Sequence, residues 1–314
     1  MSDKNNELKK LCNDIIKNNN LYWQYPVITE KTANKQMQNI KGYIGLPWAT
    51  IIDKKLNIKN IHDCLKKYID KDKSQTNFIT CCQHISFKKL IPLLKNMGIT
   101  TVYASHKIIN ENVINNIKIH ACPLYAVNYE DVKRNAEFKN VNFIKNNRKI
   151  LYSFMGGYTP CYLTNIRKKI FEMNHPKNTF IKSKNNWHFD NIVYKYQVQN
   201  IKLTKNDIQS DINGTRLYNE LLLKSRYSLC PSGTGPNSIR LWESLAVGTI
   251  PIILADTLDL PPHPLWKKSI IRLEEKDLND LNKILNNITP KTENEMRKNC
   301  INIYNYFCNN FCSV

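Results

Sequence analysis

The sequence has no apolar run near the ~20 residues that a membrane-spanning helix needs. Its first residues, Met1-Ser2-Asp3-Lys4-Asn5-Asn6, are polar and hold no signal-peptide core. No two of its 10 cysteines are spaced Cys-x-x-Cys, Cys81 and Cys82 are adjacent, and Cys300, Cys308 and Cys312 share a helical face without a fourth ligand. These absences argue against a zinc module and a disulfide framework, and leave the thiols as small core residues of a reducing compartment. A cytoplasmic protein is expected. With only 9 glycines and 13 prolines the chain is not of low complexity, and it carries no internal repeat. Acids are scarce, 26 Asp+Glu against 46 Lys+Arg, for a formal charge of +20. That balance favours anionic partners: nucleic acid, an anionic membrane surface, or phosphorylated small molecules. The lysines are spread evenly, however, and no basic block is interleaved with aromatics. No nucleic acid is therefore expected, and only weak attraction to an anionic membrane surface.

What is present is a globular composition, 42% hydrophobic over 314 residues, enough for two domains of ordinary size. Residues 3–19 have helical periodicity, with Leu8, Leu11, Ile15 and Ile16 on one side. Strand-like runs follow at 78–82, 100–104 and 117–121. The first two are separated by a helix-like stretch, Phe87 to Met97, closed by Gly98. Strand, helix, strand at this spacing is a βαβ unit, which implies a parallel sheet. The charged stretch Glu130 to Arg148 reads as a connection. A second α/β series then restarts at Ile150, with strands 150–154, 227–230 and 250–254. Helices are expected at 163–173, 218–224, 238–247, 276–285 and 293–311. The expectation is an α/β protein of the architecture called GT-B. Two Rossmann-like domains, 1–140 and 141–314, would face a cleft, and the terminal helix would pack back on the N-terminal domain.

The densest chemistry lies in residues 227–256. A short buried strand runs into Pro231-Ser232-Gly233-Thr234-Gly235-Pro236-Asn237 and then a helix. The first turn of such a helix offers unpaired N–H groups and a positive dipole end, a place for a diphosphate. Ser232 and Gly233 add a hydroxyl and a close backbone approach. Arg240 and Glu243 project from one helix face: the first suits a phosphate, the second a ribose diol. An Arg–Glu pair three residues apart is commonly only a surface ion pair. Here Ile239, Leu241, Trp242, Leu245 and Ala246 make the helix largely buried, and buried charges need a partner.

Residues Tyr218-x-x-Leu221, Ser225-x-Tyr227-Ser228-Leu229-Cys230-Pro231, Ser238-x-Arg240-x-x-Glu243-Ser244, Gly248-x-Ile250-Pro251-Ile252-Ile253 and Asp256 together resemble the exostosin-like glycosyltransferases. The likeness extends back to Ser153-Phe154-Met155-Gly156 and Arg167 and forward through Leu260-Pro261, roughly residues 150–290. It implies a GT-B fold, a nucleotide-sugar donor (usually UDP-linked), a glycan acceptor, and inversion at the anomeric carbon. By matching position, Arg240 would hold the diphosphate, Glu243 the ribose, and Ser238 the helix start, with Gly156 and Arg167 lining the donor cleft. Animal members sit behind a membrane anchor that this sequence does not show, so the likeness is to compact cytosolic members of microbes and large viruses.

An inverting transfer needs a general base. His84, just past the strand 78–82, is the first candidate and Asp53 the second, with His106, His188 and Asp190 behind them. Asp70-Lys71-Asp72 has the D-x-D form of a metal motif. It sits in a polar, lysine-rich stretch, so it reads as a solvated turn, and neither a metal nor another cofactor is required by this reading. The rival classes are a basic nucleic-acid-binding protein and a catalytically inactive nucleotide-sugar-binding module.

Overall fold

The computed structural model describes residues 2–71, 76–185 and 187–311. The chain divides into two compact units, one of Met1–Leu124, Asp259–Pro262 and Asn309–Val314, the other of Tyr125–Leu258 and His263–Cys308.

In the first unit α1 (Ser2–Asn18) buries Leu8, Cys12 and Ile15 at helical spacing. There follow α2 (Thr29–Met37), β1 (Tyr43–Ile44), α3 (Trp48–Asp53), α4 (Lys59–Lys71), β2 (Ile79–Cys82), α5 (Ile91–Met97), β3 (Thr101–Ala104), β4 (Val113–Ile114) and β5 (Ile117–Ala121). The sheet runs β1-β2-β3-β5-β4, parallel except for the β4–β5 edge. Cys81, Cys82, Val102 and Ala104 are buried, as both faces of a parallel sheet must be. Gly98 ends α5 in the left-handed region at φ 94°, where a side chain would be strained.

The second unit opens with α6 (Val127–Glu130) and β6 (Ile150–Gly156), followed by α7 (Ile166–Glu172) and β7 (Phe180–Ser183). A π-helical turn at Asn191–Val198 leads to α8 (Lys205–Lys224). Then come β8 (Ser225–Pro231), α9 (Ile239–Ala246), β9 (Ile250–Leu254), β10 (Ile271–Arg272), α10 (Leu281–Asn286) and α11 (Pro290–Asn309). This sheet is parallel throughout, in the order β10-β9-β8-β6-β7. From β6 the chain first moves out to β7 and then returns to the other side at β8. The gap between the carboxyl ends of β6 and β8 is therefore a topological switch point, where open α/β sheets bind ligands.

The structure departs from the sequence expectations in three ways. The chain divides at Leu124/Tyr125 rather than at 140/141. Residues 130–148, expected as a charged connection, instead use their charges inside the second unit. Arg134 pairs with Asp211 at 2.5 Å, and buried Arg148 donates to the carbonyls of Leu222, Ser225 and Val247 at 2.6–3.0 Å. Secondly, α8 starts at Lys205, thirteen residues before the expected Tyr218, behind a capping box between Thr204 and Asp207. Thirdly, α11 through Cys308 is counted within the second unit and packs on that unit's own elements. Phe307 lies 5.7 Å from the Trp242 ring and 6.1 Å from Trp266, and the Arg297 guanidinium holds the Gly248 carbonyl. Among the described residues no helix is long and apolar enough to cross a membrane.

Candidate donor site

The switch point holds an open cleft. Met155, Gly156 and Gly157 close it at the end of β6, and Ser238, Ile239, Arg240 and Glu243 line it from α9. α9 is fixed in place by its inner face, Leu241, Trp242, Leu245 and Ala246, all buried. Its start is capped twice. The Ser238 hydroxyl accepts the Arg240 N–H at 3.3 Å, and the Asn237 side-chain oxygen accepts the Ser238 N–H at 2.9 Å and the Trp242 indole at 3.1 Å.

Two arginines reach the cleft from different elements. Arg240 donates to the Met155 carbonyl at 2.5 Å and lies 4.6 Å over the Phe154 ring. Arg167, on α7, donates to the Ser232 carbonyl at 2.8 Å and the Gly157 carbonyl at 3.2 Å, with the Tyr162 ring 4.7 Å away. Neither forms an ion pair among the described residues. Burial, with the Arg240 charge second, brings Arg167 down to about 10. Two guanidinium groups held together by backbone carbonyls and rings, without a carboxylate among the described residues, are suited to an anion.

Gly156 lies between them. A Cβ there would meet Phe154 Cζ at 3.1 Å and one guanidinium nitrogen of each arginine at 3.5 Å. Gly156→Ala is therefore expected to fold and to weaken binding of a diphosphate ligand about ten-fold, because the methyl takes space between the two forks. Titration calorimetry with UDP checks this, and an unchanged affinity would place the anion elsewhere.

Glu243 is 3% exposed, and among the described residues neither carboxylate oxygen has a hydrogen-bond partner. The Tyr218 hydroxyl and the Asn128 amide stand beside it without completing a bond. Burial is the largest influence and pushes its pKa up to about 7, against the lowering effects of Tyr218 and Arg240. A buried carboxylate left without donors, on the wall of a solvent-open cleft, is suited to a ligand carrying hydroxyls.

Ser232 and Gly233 do not line this cleft. The Ser232 hydroxyl bonds Thr164 and Glu275, both at 3.2 Å, and a Cβ on Gly233 would meet the Arg167 guanidinium at 2.9 Å. The small-residue loop makes room for Arg167, and the direct backbone approach comes instead from Gly156 and Gly157. The sequence reading also passed over Asn128, Tyr162, Lys184, Trp187 and Phe189, which line the cleft with His188. The aromatic run Trp187-His188-Phe189 just after β7 was the available signal.

In the first unit, the two candidates for the base are partners. His84 Nε2 is 3.0 Å from Asp53 Oδ1, and His84 Nδ1 accepts the Ser86 N–H at 2.9 Å. Gln24 donates to the other Asp53 oxygen. Since Nδ1 is an acceptor, the imidazole proton sits on Nε2 and is donated to Asp53. His84 thus has no free lone pair. His106 is buried and brought down to about 3, first by burial and then by His84, so it stays neutral. His188 lines the same cleft as Arg240 and Glu243, brought down to about 4 mainly by burial, and Asp190 borders the neighbouring groove. Asp70 bonds Lys66 at 3.4 Å on the exposed face of α4, while Asp72 lies outside the described residues.

The Exostosin GT47 domain model matches residues 80–288, two thirds of the chain, which therefore belongs to that family. An exostosin-1 homolog of Caenorhabditis elegans is 26% identical over 193 residues, 59% of this chain and 48% of that protein. A probable glucuronoxylan glucuronosyltransferase of Arabidopsis thaliana is 31% identical over 84 residues, 26% of this chain and 18% of that protein. A probable beta-1,4-xylosyltransferase of the same plant is 37% identical over 94 residues, 29% and 22% respectively. The matched stretches thus span at most about half the length of these relatives. Among solved structures, a UDP-N-acetylglucosamine 2-epimerase aligns with a TM-score of 0.29 at 11% identity, covering 78% of this chain and 73% of that one. That likeness is too distant to bear on fold or function.

Proposed function

We propose that this chain is an inverting glycosyltransferase of the GT-B type. Its second unit takes a UDP-linked sugar, and the sugar passes to a hydroxyl of a glycan or glycoconjugate. The observation that carries the reading is the unpartnered Glu243 carboxylate one helical turn from Arg240, facing a cleft that also holds Arg167. The two guanidinium groups and the first turn of α9 suit the diphosphate. Glu243 suits the ribose diol, whose two hydroxyls donate to its two free oxygens.

In the transfer, the acceptor hydroxyl loses its proton to a base while its oxygen attacks the anomeric carbon. The bond from that carbon to the diphosphate oxygen breaks, and its electron pair stays on the leaving diphosphate. Arg167 and Arg240 meet that charge, which is greatest in the transition state and after it. The proposed base is Asp53, held in place by His84 and Gln24. A carboxylate that accepts one bond on each oxygen retains lone pairs, whereas both nitrogens of His84 are engaged.

The proposal predicts a pH dependence with a definite sign. Glu243 is raised to about 7 in the cleft, so it is largely protonated at pH 6 and ionised at pH 8. The diol donates best to the ionised form, so affinity for UDP-glucose should rise from pH 6 to pH 8, and Glu243→Gln should abolish the rise. The raised pKa has the opposite consequence for stability. The folded state binds the extra proton, so stability is lost as pH climbs from the unfolded value toward 7, and Glu243→Gln should melt higher at pH 8. Calorimetry and a thermal melt at both pH values check the two halves. The same pH profile in wild type and Glu243→Gln would remove the ribose role.

A further inference from the structure

Arg134 lies outside every motif read from the sequence, yet its side chain is only 8% exposed and most of its donors are engaged. Nε donates to the Asn128 side-chain oxygen at 2.9 Å, and the two terminal nitrogens clasp Asp211 at 2.5 and 3.1 Å. One of them also donates to Thr215 at 2.5 Å and lies 3.5 Å from His188 Nε2, and the guanidinium is 5.5 Å over the Phe189 ring. Asn128, His188 and Phe189 are all lining residues of the donor cleft. We propose that Arg134 is a positioning residue of that cleft, holding Asn128 and the His188–Phe189 wall against Glu243 so that the Asn128 amide and its own positive charge face the carboxylate. The inference rests on the reading of this cleft as the donor site.

Glu243 is faced from each element packed round it. Tyr218 approaches from α8, Arg240 from α9, the Asn128 amide from α6, and Arg134 from the segment after α6. His188 and Lys184 line the same cleft. His188 stays neutral above about pH 4, and burial lowers Lys184. Of the two cations that favour ionised Glu243, Arg240 stands to be engaged by the diphosphate, which leaves Arg134 to keep the carboxylate charged in the bound state. Asp211 takes up part of the Arg134 charge, and the directed bond to Asn128 is what couples Arg134 to the cleft.

The test follows Glu243 directly in the ligand-free protein, by NMR titration of glutamate side-chain carboxyl carbons, with Glu243→Gln identifying the resonance. A midpoint near 7 is expected in wild type. Arg134→Gln should raise it by about one pH unit, the scale of a lost neighbouring charge with the Asn128 amide no longer held beside the carboxylate. Arg134→Lys keeps a cation but not the fork, so it should give a smaller rise, and it carries the test if Arg134→Gln fails to fold. A purely structural arginine would lower the melting temperature and leave the midpoint where it was. An unmoved midpoint in either folded variant overturns the proposal. Failure of UDP to bind the wild type would instead overturn the donor reading, and the titration would stand apart from it.

Discussion

Replacing Arg240 by alanine is expected to weaken UDP binding by about 1.5–3 kcal/mol, the range for charge-assisted hydrogen bonds, or roughly 10–150-fold in Kd. The fold should survive. Arg240 is half-buried, its one strong bond goes to the Met155 carbonyl at the rim of the cleft, and α9 is anchored by Leu241, Trp242, Leu245 and Ala246 on its other face. Truncation also relieves the like charge that helps to lower Arg167. Arg167 should therefore compensate only in part, since its own fork is already committed to the Ser232 and Gly157 carbonyls. Calorimetry beside a thermal melt separates binding from folding. An unchanged affinity in a folded variant would make Arg240 a rim contact only.

Asp53→Asn is expected to lower kcat by about 10²–10⁴-fold, the usual contribution of a positioned general base, with UDP affinity nearly intact. The amide is nearly isosteric, and its oxygen can keep one of the two bonds from His84 and Gln24, while the other donor faces the new NH2 group. His84→Ala should also reduce kcat, through loss of the group that holds Asp53. Chain position favours His84 as the base, and the hydrogen-bond directions favour Asp53. If His84→Ala proves the more damaging while Asp53→Asn stays active, the imidazole is the base and must turn away from Ser86. Loss of UDP affinity in either variant would point to a donor contact.

Much of the fold was legible because fully buried parallel strands appear as apolar runs, as in Ile250-Pro251-Ile252-Ile253-Leu254. Strands without that signature were missed. β7 is Phe180-Ile181-Lys182-Ser183, half-buried and then exposed, and β1 and β10 are two residues each. The first half of α8 escaped notice because Ile208 and Ile212 are exposed, so no apolar stripe marks it, and only the Thr204–Asp207 cap could have.

The site divides in the same way. Arg240 and Glu243 stood out as charges on an apolar helix, a local contradiction visible in sequence. Ser232 and Gly233 show the limit of composition: a small-residue loop says that something approaches closely, and here it is the Arg167 guanidinium. Arg134 could not be found that way. Its role depends on Asp211 and Thr215, each about 80 residues away in sequence.

The central claim, that the second unit binds a nucleotide sugar at the β6–β8 switch point, is tested most directly by the melting temperature of the purified chain against a panel of nucleotide sugars and a single-stranded oligonucleotide. A UDP-sugar at about 100 times its Kd stabilises the fold by about 2.7 kcal/mol, a shift of a few degrees for a protein of this size. The account predicts such a shift with at least one UDP-sugar and none with it in the Glu243→Gln, Arg240→Ala double variant. Stabilisation by the oligonucleotide alone, or by a UDP-sugar equally in the double variant, would contradict it.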